Sequence, residues 1–573
     1  MILRRASLAA LAAFLAATGC RTEAVEPTDT ANLVYLGGDI VTVDPSRPRA
    51  TALAVRDGRI VAVGDDDDVA PYRGPDTTVV DLAGRTVVPG FLDGHSHFIN
   101  ALSVATQANV YAPPFGPGDS IAHVVGALQE LVAERGMPEN GVLMAYGYDG
   151  DAMRDGRELT AADLDEHFPA VPVIVQHVSL HGAVLNSAAL AKYGITAATE
   201  TPPGGVIVRK DGSNEPAGLV METAYIPIFS QLPKPQPAEM LERLDAAQRI
   251  YAAAGVTTAH EGATHLLDLA ILRKGAAAGK LFLDVIAFPF MTDFEQILRT
   301  NRPESFGRYE GGLKLGGVKV TLDGSPQGRT AWFTTPYLTG GPGGESDWTG
   351  EPTMPDTDAL PIFERVHDLG LRLIVHCNGD AAIDQFLRCF ETAWGDDATS
   401  DHRTAVIHSQ FVRDDQLERY AALGIVPSFY TEHTYFFGPT HVANRGPGQA
   451  ARISPMRTAL DLGIRCSNHT DFNVAPIDQL FTMWTAVNRT TRDGEVLGPD
   501  ERITPLEALR AITLDTAWWY GEEADKGSIE VGKLADLVIL DRNPLEVDPA
   551  AIKDIRVLET IKAGRTIHRA EGG

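Results

Sequence analysis

The long middle of the chain repeats one pattern, in which an amphipathic helix ends at a glycine and an apolar run follows. ALPIFERVHDLG precedes LRLIVH, DDQLERYAALG precedes IVPSFY, and MRTALDLG precedes IRCSNHTD. Repeated helix-then-strand order implies parallel strands joined by crossover helices. Five or more such units favour a closed (β/α)8 barrel over an open sheet, although periodicity alone leaves both architectures open.

The two ends of the chain have a different pattern. Residues 32–90 contain short β-branched runs separated by turn signals at Asp57-Gly58 and Ala83-Gly84, and KGSIEVGKLADLVILD and IRVLETIKAGRTIH repeat this pattern near the other end. Such runs predict antiparallel strands and hairpins. Because 573 residues are too many for one simple core, we expect two or three structural units.

Side chains of the types that bind metals recur in the middle of the chain, at the point where each apolar run stops. They are His95 and His97 after VVPGFLDG, Lys319 in LGGVKV, His376 after LRLIV, His408 after TAVI, and Asp471 after IRCSNHT. In a parallel barrel, these strand ends meet at one mouth. Alternate residues of a strand face the same side, so the HSH sequence directs both imidazoles into that mouth. Imidazole and carboxylate together suit Zn²⁺ and related metals, so the set predicts a metal centre.

These motifs resemble the metal-dependent amidohydrolase superfamily, and within it the family-3 branch that includes N-substituted formamide deformylases. The resemblance rests on VVPGFLDGHSH, GVTTAHEGA, VKVTLDGSPQGRTA, LIVHCNGDAAID, AVIHSQ and SNHTDFNVAP, in the family's order, and on the tail ITPLEALRAITLDTA with KGSIEVGKLADLVILD. It covers nearly the whole chain after the N-terminal leader.

The resemblance implies an α/β fold, namely a distorted (β/α)8 TIM barrel with a small β-sandwich domain built from both chain termini. The expected boundaries are 1–20 for a signal peptide, 21–31 for a tether, 32–90 and 516–573 for the two parts of the sandwich, and 91–515 for the barrel. An inserted subdomain is expected at about 100–250, because this segment is longer than one crossover helix needs.

The resemblance also implies a ligand set for one or two divalent metal ions, with zinc expected. His95 and His97 would bind the first metal, and His376 and His408 the second. Asp471 would bind the first metal and act as a base. Lys319 would be carboxylated to N6-carboxylysine and bridge the two metals; the alternative role for Lys319 is that of a buried ion-pair partner.

The implied reaction is hydrolysis of a non-peptide C–N bond, such as an amide or formamide, by metal-activated hydroxide. Asp471 would accept the proton and pass it to the leaving nitrogen. His181, in LHGAVLNSAAL, would stabilise the oxyanion, or would be a structural histidine. The same scaffold could instead cleave an ester or a C–C bond or act as an isomerase, because a fold does not fix a function. A non-catalytic binding lipoprotein is the third alternative.

Two departures from the family pattern bear on the substrate. Ile407 replaces the usual Glu before His408, and HTDFNV replaces GSDAP, which adds His469 beside Asp471. We expect His469 to contact substrate or to support a metal ligand, and the alternative is a packed polar residue without such a role. The other candidate substrate contacts are Phe429, Tyr430, Tyr435 and Phe436 in PSFYTEHTYFFGPTH, and Arg329 in GSPQGRT.

The N-terminus MILRRASLAALAAFLAATGC combines two arginines with an apolar run that is too short to span a bilayer, which is typical of an export signal. Its ending resembles a lipobox, with Cys20 as the lipidated residue. Simple signal-peptide cleavage is the alternative, because Ala17 stands where Leu is usual. We expect a periplasmic or outer-membrane-anchored lipoprotein of a bacterium.

The net charge of −27 disfavours nucleic acid and anionic lipid surfaces as partners. The expected partner is a small-molecule substrate, with membrane contact only through a lipid at Cys20, and a homodimer is left open. The other cysteines, Cys377, Cys389 and Cys466, are too few and too irregularly spaced for a disulfide framework, so we expect buried thiols.

Overall fold

The computed structural model describes residues 30–113, 115–138, 141–178, 182–202, 205–232, 237–342 and 345–570. The predicted signal peptide with Cys20, and the candidate His181, lie outside these residues. No helix in the described ranges is long and apolar enough to cross a membrane. Cys377, Cys389 and Cys466 are free and buried, as expected.

The strands are β1 (Leu33–Leu36), β2 (Asp39–Val41), β3 (Arg49–Ala50), β4 (Ala52–Arg56), β5 (Arg59–Gly64), β6 (Thr78–Asp81), β7 (Thr86–Pro89), β8 (Phe91–Leu92), β9 (Ala108–Asn109), β10 (Leu143–Tyr148), β11 (Val173–His177), β12 (Gly182–Leu185), β13 (Gly205–Arg209), β14 (Pro216–Glu222), β15 (Val256–Thr264), β16 (Asp284–Pro289), β17 (Tyr309–Glu310), β18 (Leu313–Leu315), β19 (Val318–Thr321), β20 (Leu373–Cys377), β21 (Ala405–His408), β22 (Val426–Phe429), β23 (Ser467–Asn468), β24 (Leu537–Leu540), β25 (Val557–Lys562) and β26 (Arg565–Arg569).

The α-helices are α1 (Asp66–Val69), α2 (Phe98–Val104), α3 (Ile121–Arg135), α4 (Ala161–Asp165), α5 (Ser187–Lys192), α6 (Ile226–Ser230), α7 (Pro237–Ala253), α8 (Leu266–Ala277), α9 (Phe294–Leu298), α10 (Asp356–Asp368), α11 (Asp380–Trp394), α12 (Asp414–Leu423), α13 (His433–Ala450), α14 (Met456–Asp461), α15 (Gln479–Asn488), α16 (Pro505–Ala511) and α17 (Leu514–Trp519).

Parallel strands form two five-stranded sheets, in the orders β17-β18-β16-β15-β8 and β19-β20-β21-β22-β23. All neighbouring pairs in them are parallel except β17 with β18. A parallel bridge between Phe290 and Lys319 connects the sheets on one side. On the other side, the backbone N–H of Asp471 donates to the His95 carbonyl at 3.0 Å. The α/β class and the parallel order expected from the helix–strand alternation are therefore confirmed.

Glycine ends the helices as the sequence indicates. The clearest case is α12, where Gly424 adopts a left-handed conformation (φ 69°) and its N–H bonds to the Tyr420 carbonyl. This conformation closes the helix and turns the chain, so that β22 begins two residues later. The short connection places the end of β22 beside the end of β21, with Phe429 paired with His408.

Both ends of the chain contribute to one six-stranded sheet, in the order β26-β25-β24-β7-β2-β3. Its central pair joins β7 to β24 in antiparallel register, with Val88 opposite Val538. A second sheet, β5-β4-β1-β6, comes from the N-terminal part alone. One buried apolar cluster contains side chains from both sheets, including Leu53, Val87 and Leu537. Burial of this shared apolar surface holds the two sheets together.

The segment between β8 and β15 forms a six-stranded sheet of its own, in the order β13-β14-β12-β11-β10-β9. Helix α3 has Ser120 as its N-cap, whose Oγ accepts from the His123 N–H, and Gly136 as its C-cap. The helix buries Val124 and Leu128 against this sheet.

Buried ion pairs connect β16 and β18 to the C-terminal region. Lys526 Nζ lies 2.6 Å from Asp284 Oδ2 and 2.6 Å from Glu522 Oε2. Lys314 also pairs with Glu522, and Lys562 pairs with Asp284. Each buried lysine in this network therefore has a carboxylate partner, as the cost of burying a charge requires.

Candidate metal centre

His95, His97 and Asp471 converge where the ends of β8 and β23 meet. Asp471 Oδ1 lies 3.7 Å from His95 Nε2 and 3.5 Å from His97 Nε2, and the three ligand atoms all lie within 4.8 Å of one another. Asp471 has a positive φ of 53°, a conformation that costs energy outside glycine and clusters at functional sites. The structure thus brings together three residues that are separated by up to 376 positions in the sequence.

Lys319 approaches the same cluster from β19. Its side chain is 3% exposed, and Nζ lies 3.4 Å from His95 Nε2. Burial lowers the pKa of Lys319 to about 8, against the opposing effect of Asp471. None of the ion pairs among the described residues includes Lys319, which disfavours the alternative role of ion-pair partner.

His376 and His408 face each other at the ends of β20 and β21. His408 Nε2 lies 3.1 Å from His376 Nδ1, and the ring centroids are 4.6 Å apart. The other nitrogen of His376, Nε2, lies 3.3 Å from the Gly324 carbonyl and 3.0 Å from Asn378 Nδ2. In the tautomer that donates from Nε2 to the carbonyl, Nδ1 carries the lone pair that a metal needs. Burial lowers the pKa of His376 to about 3 and that of His408 well below its usual range. Both rings are therefore neutral at neutral pH, which is the form that binds metals.

Two further buried histidines lie beside this cluster, and neither was assigned a definite role from the sequence. His260, on β15, lies with Nε2 3.4 Å from His95 Nδ1. His469 lies with Nε2 3.1 Å from His408 Nδ1. His469 follows the end of β23, which is the signal that identified the other histidines, whereas His260 lies in the middle of β15. His260 was missed because GVTTAHEGA was used only as a family motif, and no residue in it was given a role.

Buried carboxylates hold the loops that carry the cluster. Asp93 accepts from Thr470 Oγ1 at 3.0 Å, which ties the β8 end to the β23 end. Asp323 accepts from the backbone N–H groups of Asn378 and Gly379 at 2.9 and 2.7 Å and lies 3.5 Å from His376. Burial raises the pKa of Asp93 to about 6 and that of Asp323 to about 7.

The donor set fits a divalent metal. Zn–N bonds of about 2.0–2.1 Å place neighbouring ligands of a tetrahedral ion about 3.3–3.4 Å apart. The Asp471 contacts of 3.5 and 3.7 Å and the His376–His408 contact of 3.1 Å are close to this spacing. In addition, the facing nitrogens of His376 and His408 are both acceptors when their other nitrogens donate. A cation between them would remove that repulsion.

Gly262 leaves the space in which the His95 ring lies. A Cβ at position 262 would come within 2.1 Å of His95 Cε1 and 2.6 Å of His95 Nδ1. Both contacts are with the rigid imidazole ring of His95, so a side chain at position 262 would displace a proposed metal ligand.

We therefore expect Gly262→Ala to weaken zinc binding by at least about 10-fold, because the His95 ring must move. The check is zinc affinity measured on folded, metal-free protein. Gly126→Ala is the matched control, since its Cβ meets nothing within 4 Å in helix α3, and it should raise stability by about 0.5–1 kcal/mol without changing zinc binding. Wild-type zinc affinity in Gly262→Ala would contradict the placement of His95.

The candidate substrate contacts fall in different places. Tyr430 stacks on His469, with ring centroids 5.3 Å apart, and its buried hydroxyl has no hydrogen-bond partner among the described residues. Phe429 is fully buried in the main apolar cluster. Arg329, with a positive φ of 59°, directs its guanidinium to the Thr339 carbonyl at 3.5 Å. Of the aromatic residues proposed from the sequence, Tyr430 is the one whose side chain contacts the histidine cluster.

Tyr435 and Phe436 instead line a cavity of about 250 Å³ with Tyr111, Phe115 and Arg492. The Tyr111 hydroxyl donates to the Asn473 carbonyl at 2.9 Å, so one wall of this cavity is attached to the chain two residues beyond Asp471. A second cavity of about 430 Å³ shares Tyr111 and Phe115 and includes Phe472. Space with aromatic side chains in its walls therefore lies next to the segment that carries Asp471.

The sequence and fold match known hydrolases. A family model described as the amidohydrolase family matches residues 78–568. The N-substituted formamide deformylase of Arthrobacter pascens is 29% identical over 94% of this chain and 98% of its own length. The putative amidohydrolase YtcJ of Bacillus subtilis is 27% identical over 93% of this chain and 99% of its own length.

Solved structures agree with the family match. An uncharacterized metal-dependent hydrolase from Pyrococcus furiosus superposes with a TM-score of 0.68 at 25% identity, over 90% of this chain and all of that chain. A second uncharacterized metal-dependent hydrolase, from Pyrococcus horikoshii, superposes with a TM-score of 0.69 at 23% identity, over 90% of this chain and 99% of that chain. The chain therefore belongs to the amidohydrolase family and is a hydrolase of carbon–nitrogen bonds.

Proposed function

We propose that the protein is a metal-dependent hydrolase of a non-peptide amide or formamide bond. The observation that carries the proposal is the convergence of His95, His97 and Asp471, with Lys319 3.4 Å from His95. The deformylase similarity favours an N-substituted formamide over the ester, C–C and isomerase alternatives. Family membership also disfavours a non-catalytic binding protein.

We also propose that the parallel strands close into a distorted (β/α)8 barrel at about 91–515. The Phe290–Lys319 bridge and the Asp471–His95 hydrogen bond support closure. The two terminal sheets would form the β-sandwich from 32–90 and 516–573, supported by their shared apolar cluster. The sheet between β8 and β15 would be the inserted subdomain.

The residues that would hold the metals divide into two groups. His95, His97 and Asp471 would bind one divalent ion, and His376 Nδ1 with His408 Nε2 would bind a second. Lys319, as a carbamate, would bridge them. When bound, such ions polarise a carbonyl and lower the pKa of water to about 7.

The chain's own groups would orient the substrate and move the proton. The Asp471 carboxylate would accept a proton at Oδ and deliver it to the leaving nitrogen. Burial keeps the pKa of Tyr430 well above its usual value, so its unpartnered hydroxyl is a donor suited to the substrate carbonyl. The cavity that Tyr435 and Phe436 line together with Tyr111 and Phe115 would receive an apolar N-substituent. Export with Cys20 as a lipid anchor is proposed from residues 1–20 alone.

Protein lacking residues 1–20, produced with zinc and bicarbonate, is expected to contain about two metal ions per chain and to hydrolyse N-substituted formamides faster than matched esters. The measurements are elemental analysis and a panel of paired formamides and esters. About one ion per chain would keep the hydrolase and remove the bridging role of Lys319. Folded protein without metal would overturn the proposal.

A further inference from the structure

Each of two proposed metal ligands contacts a second, fully buried histidine through its far nitrogen. His95 contacts His260, and His408 contacts His469. His260 and His469 are both 0% exposed. Neither belongs to the proposed ligand set, and burying a polar ring costs free energy unless its nitrogens are hydrogen-bonded.

The first contact has a defined direction. The Tyr520 hydroxyl lies 2.5 Å from the Asp93 carbonyl, which can only accept, so Tyr520 donates there. Its oxygen then accepts from His260 Nδ1 at 2.6 Å. A neutral imidazole that donates at Nδ1 accepts at Nε2, so His260 Nε2 accepts from His95 Nδ1. This leaves the lone pair of His95 on Nε2, the atom that faces Lys319 and Asp471.

The second contact follows the same order. The Ser428 hydroxyl lies 3.5 Å from the Gly94 carbonyl, which can only accept, and 2.9 Å from His469 Nδ1. With the hydroxyl proton directed to the carbonyl, Ser428 accepts from His469 Nδ1. His469 Nε2 then accepts from His408 Nδ1. The lone pair of His408 is left on Nε2, which faces His376 Nδ1. The two chains of hydrogen bonds end on the neighbouring carbonyls of Asp93 and Gly94.

We propose that His260 and His469 are positioning residues that fix the tautomer and orientation of His95 and His408 and anchor both to the Asp93–Gly94 turn. The inference rests on the proposed metal-dependent hydrolase. In many metal sites a carboxylate or a backbone carbonyl supports a ligand histidine. A neutral imidazole supplies the same acceptor without adding negative charge to a centre that already contains Asp471. Because the turn also carries His95 and His97, one short segment aligns ligands from both groups.

The test compares acceptor-keeping and acceptor-removing variants of the full mature chain. His260→Leu and His469→Leu remove the acceptor while filling the space, and should weaken zinc binding by about 10–100-fold. His260→Gln and His469→Gln place an oxygen near the lost Nε2 and should bind within about 3-fold of the wild type. The readouts are zinc affinity of metal-free protein, from competition with a chromophoric chelator, and the visible absorption of the cobalt(II) form.

Wild-type affinity in the folded Leu variants would overturn the inference, as would equal losses in the Leu and Gln variants, since only packing would then matter. Tyr520→Phe and Ser428→Ala remove one hydroxyl each and decide the matter if the histidine variants do not fold. Each should weaken zinc binding several-fold, and unchanged binding in both would overturn the inference. A wild-type protein that binds no zinc or cobalt would instead refute the proposed function.

Discussion

Lys319→Met is expected to give a folded protein that loses metal and about 10³-fold or more in activity, with metal-free stability equal to or above that of the wild type. The ammonium is buried, with no carboxylate in ion-pair distance among the described residues, so its replacement by an apolar chain of similar length removes a desolvation cost. The same change removes the group proposed to bridge two cations, whose electrostatic contribution is large in a dry site. Metal content, kcat/KM and the melting temperature of metal-free protein are the three measurements.

Lys314→Met is the matched control, because Lys314 is equally buried and lies five positions earlier. It pairs with Glu522, so its loss leaves that buried carboxylate with Lys526 as its remaining partner and should cost about 1–3 kcal/mol of stability. Metal content and activity per folded molecule should stay near the wild type. If Lys319→Met kept full metal content, the bridging role would be wrong; if it were the less stable of the two, the lysine would be structural.

Asp471→Asn should lower kcat by about 10²–10⁴-fold with a smaller change in KM, because an amide cannot accept the proton that the carboxylate is proposed to carry. Asn also tolerates the left-handed backbone at this position (φ 53°). The fold and the other ligands should therefore persist, and the kinetic loss should be measurable on well-folded protein.

Asp515→Asn supplies the control for removing a buried carboxylate elsewhere. Asp515 is 4% exposed, compared with 8% for Asp471, and bonds Arg510 at 3.0 Å. This variant should lose stability and keep its kcat. A kcat for Asp471→Asn within 10-fold of the wild type would argue that another group moves the proton.

The sequence predicted those parts of the fold and of the candidate site whose signals are local. Glycine ends such as Gly424 marked the helix-to-strand turns, and the strand ends marked His95, His376 and His408. His260 escaped because its partner Tyr520 lies 260 positions away, and no local pattern reports such a pair. Tyr435 was expected at a substrate pocket because its segment is rich in aromatic residues. In the structure it lies on helix α13, where its ring packs against Phe481 and Trp484 and also lines a cavity.

The pairing of β7 with β24 has a consequence for how the protein is made. Thr86–Pro89 leaves the ribosome long before Leu537–Leu540, which supplies its antiparallel neighbour. At about 5–20 residues per second, that interval is on the order of 20–90 s. Throughout it, the nascent N-terminal strands expose an unpaired edge and half of an apolar core. Folding is therefore completed only when β24 and the strands after it have been synthesised. A chain truncated before Leu537 would remain a substrate for chaperones or proteases, even though it contains every proposed metal ligand.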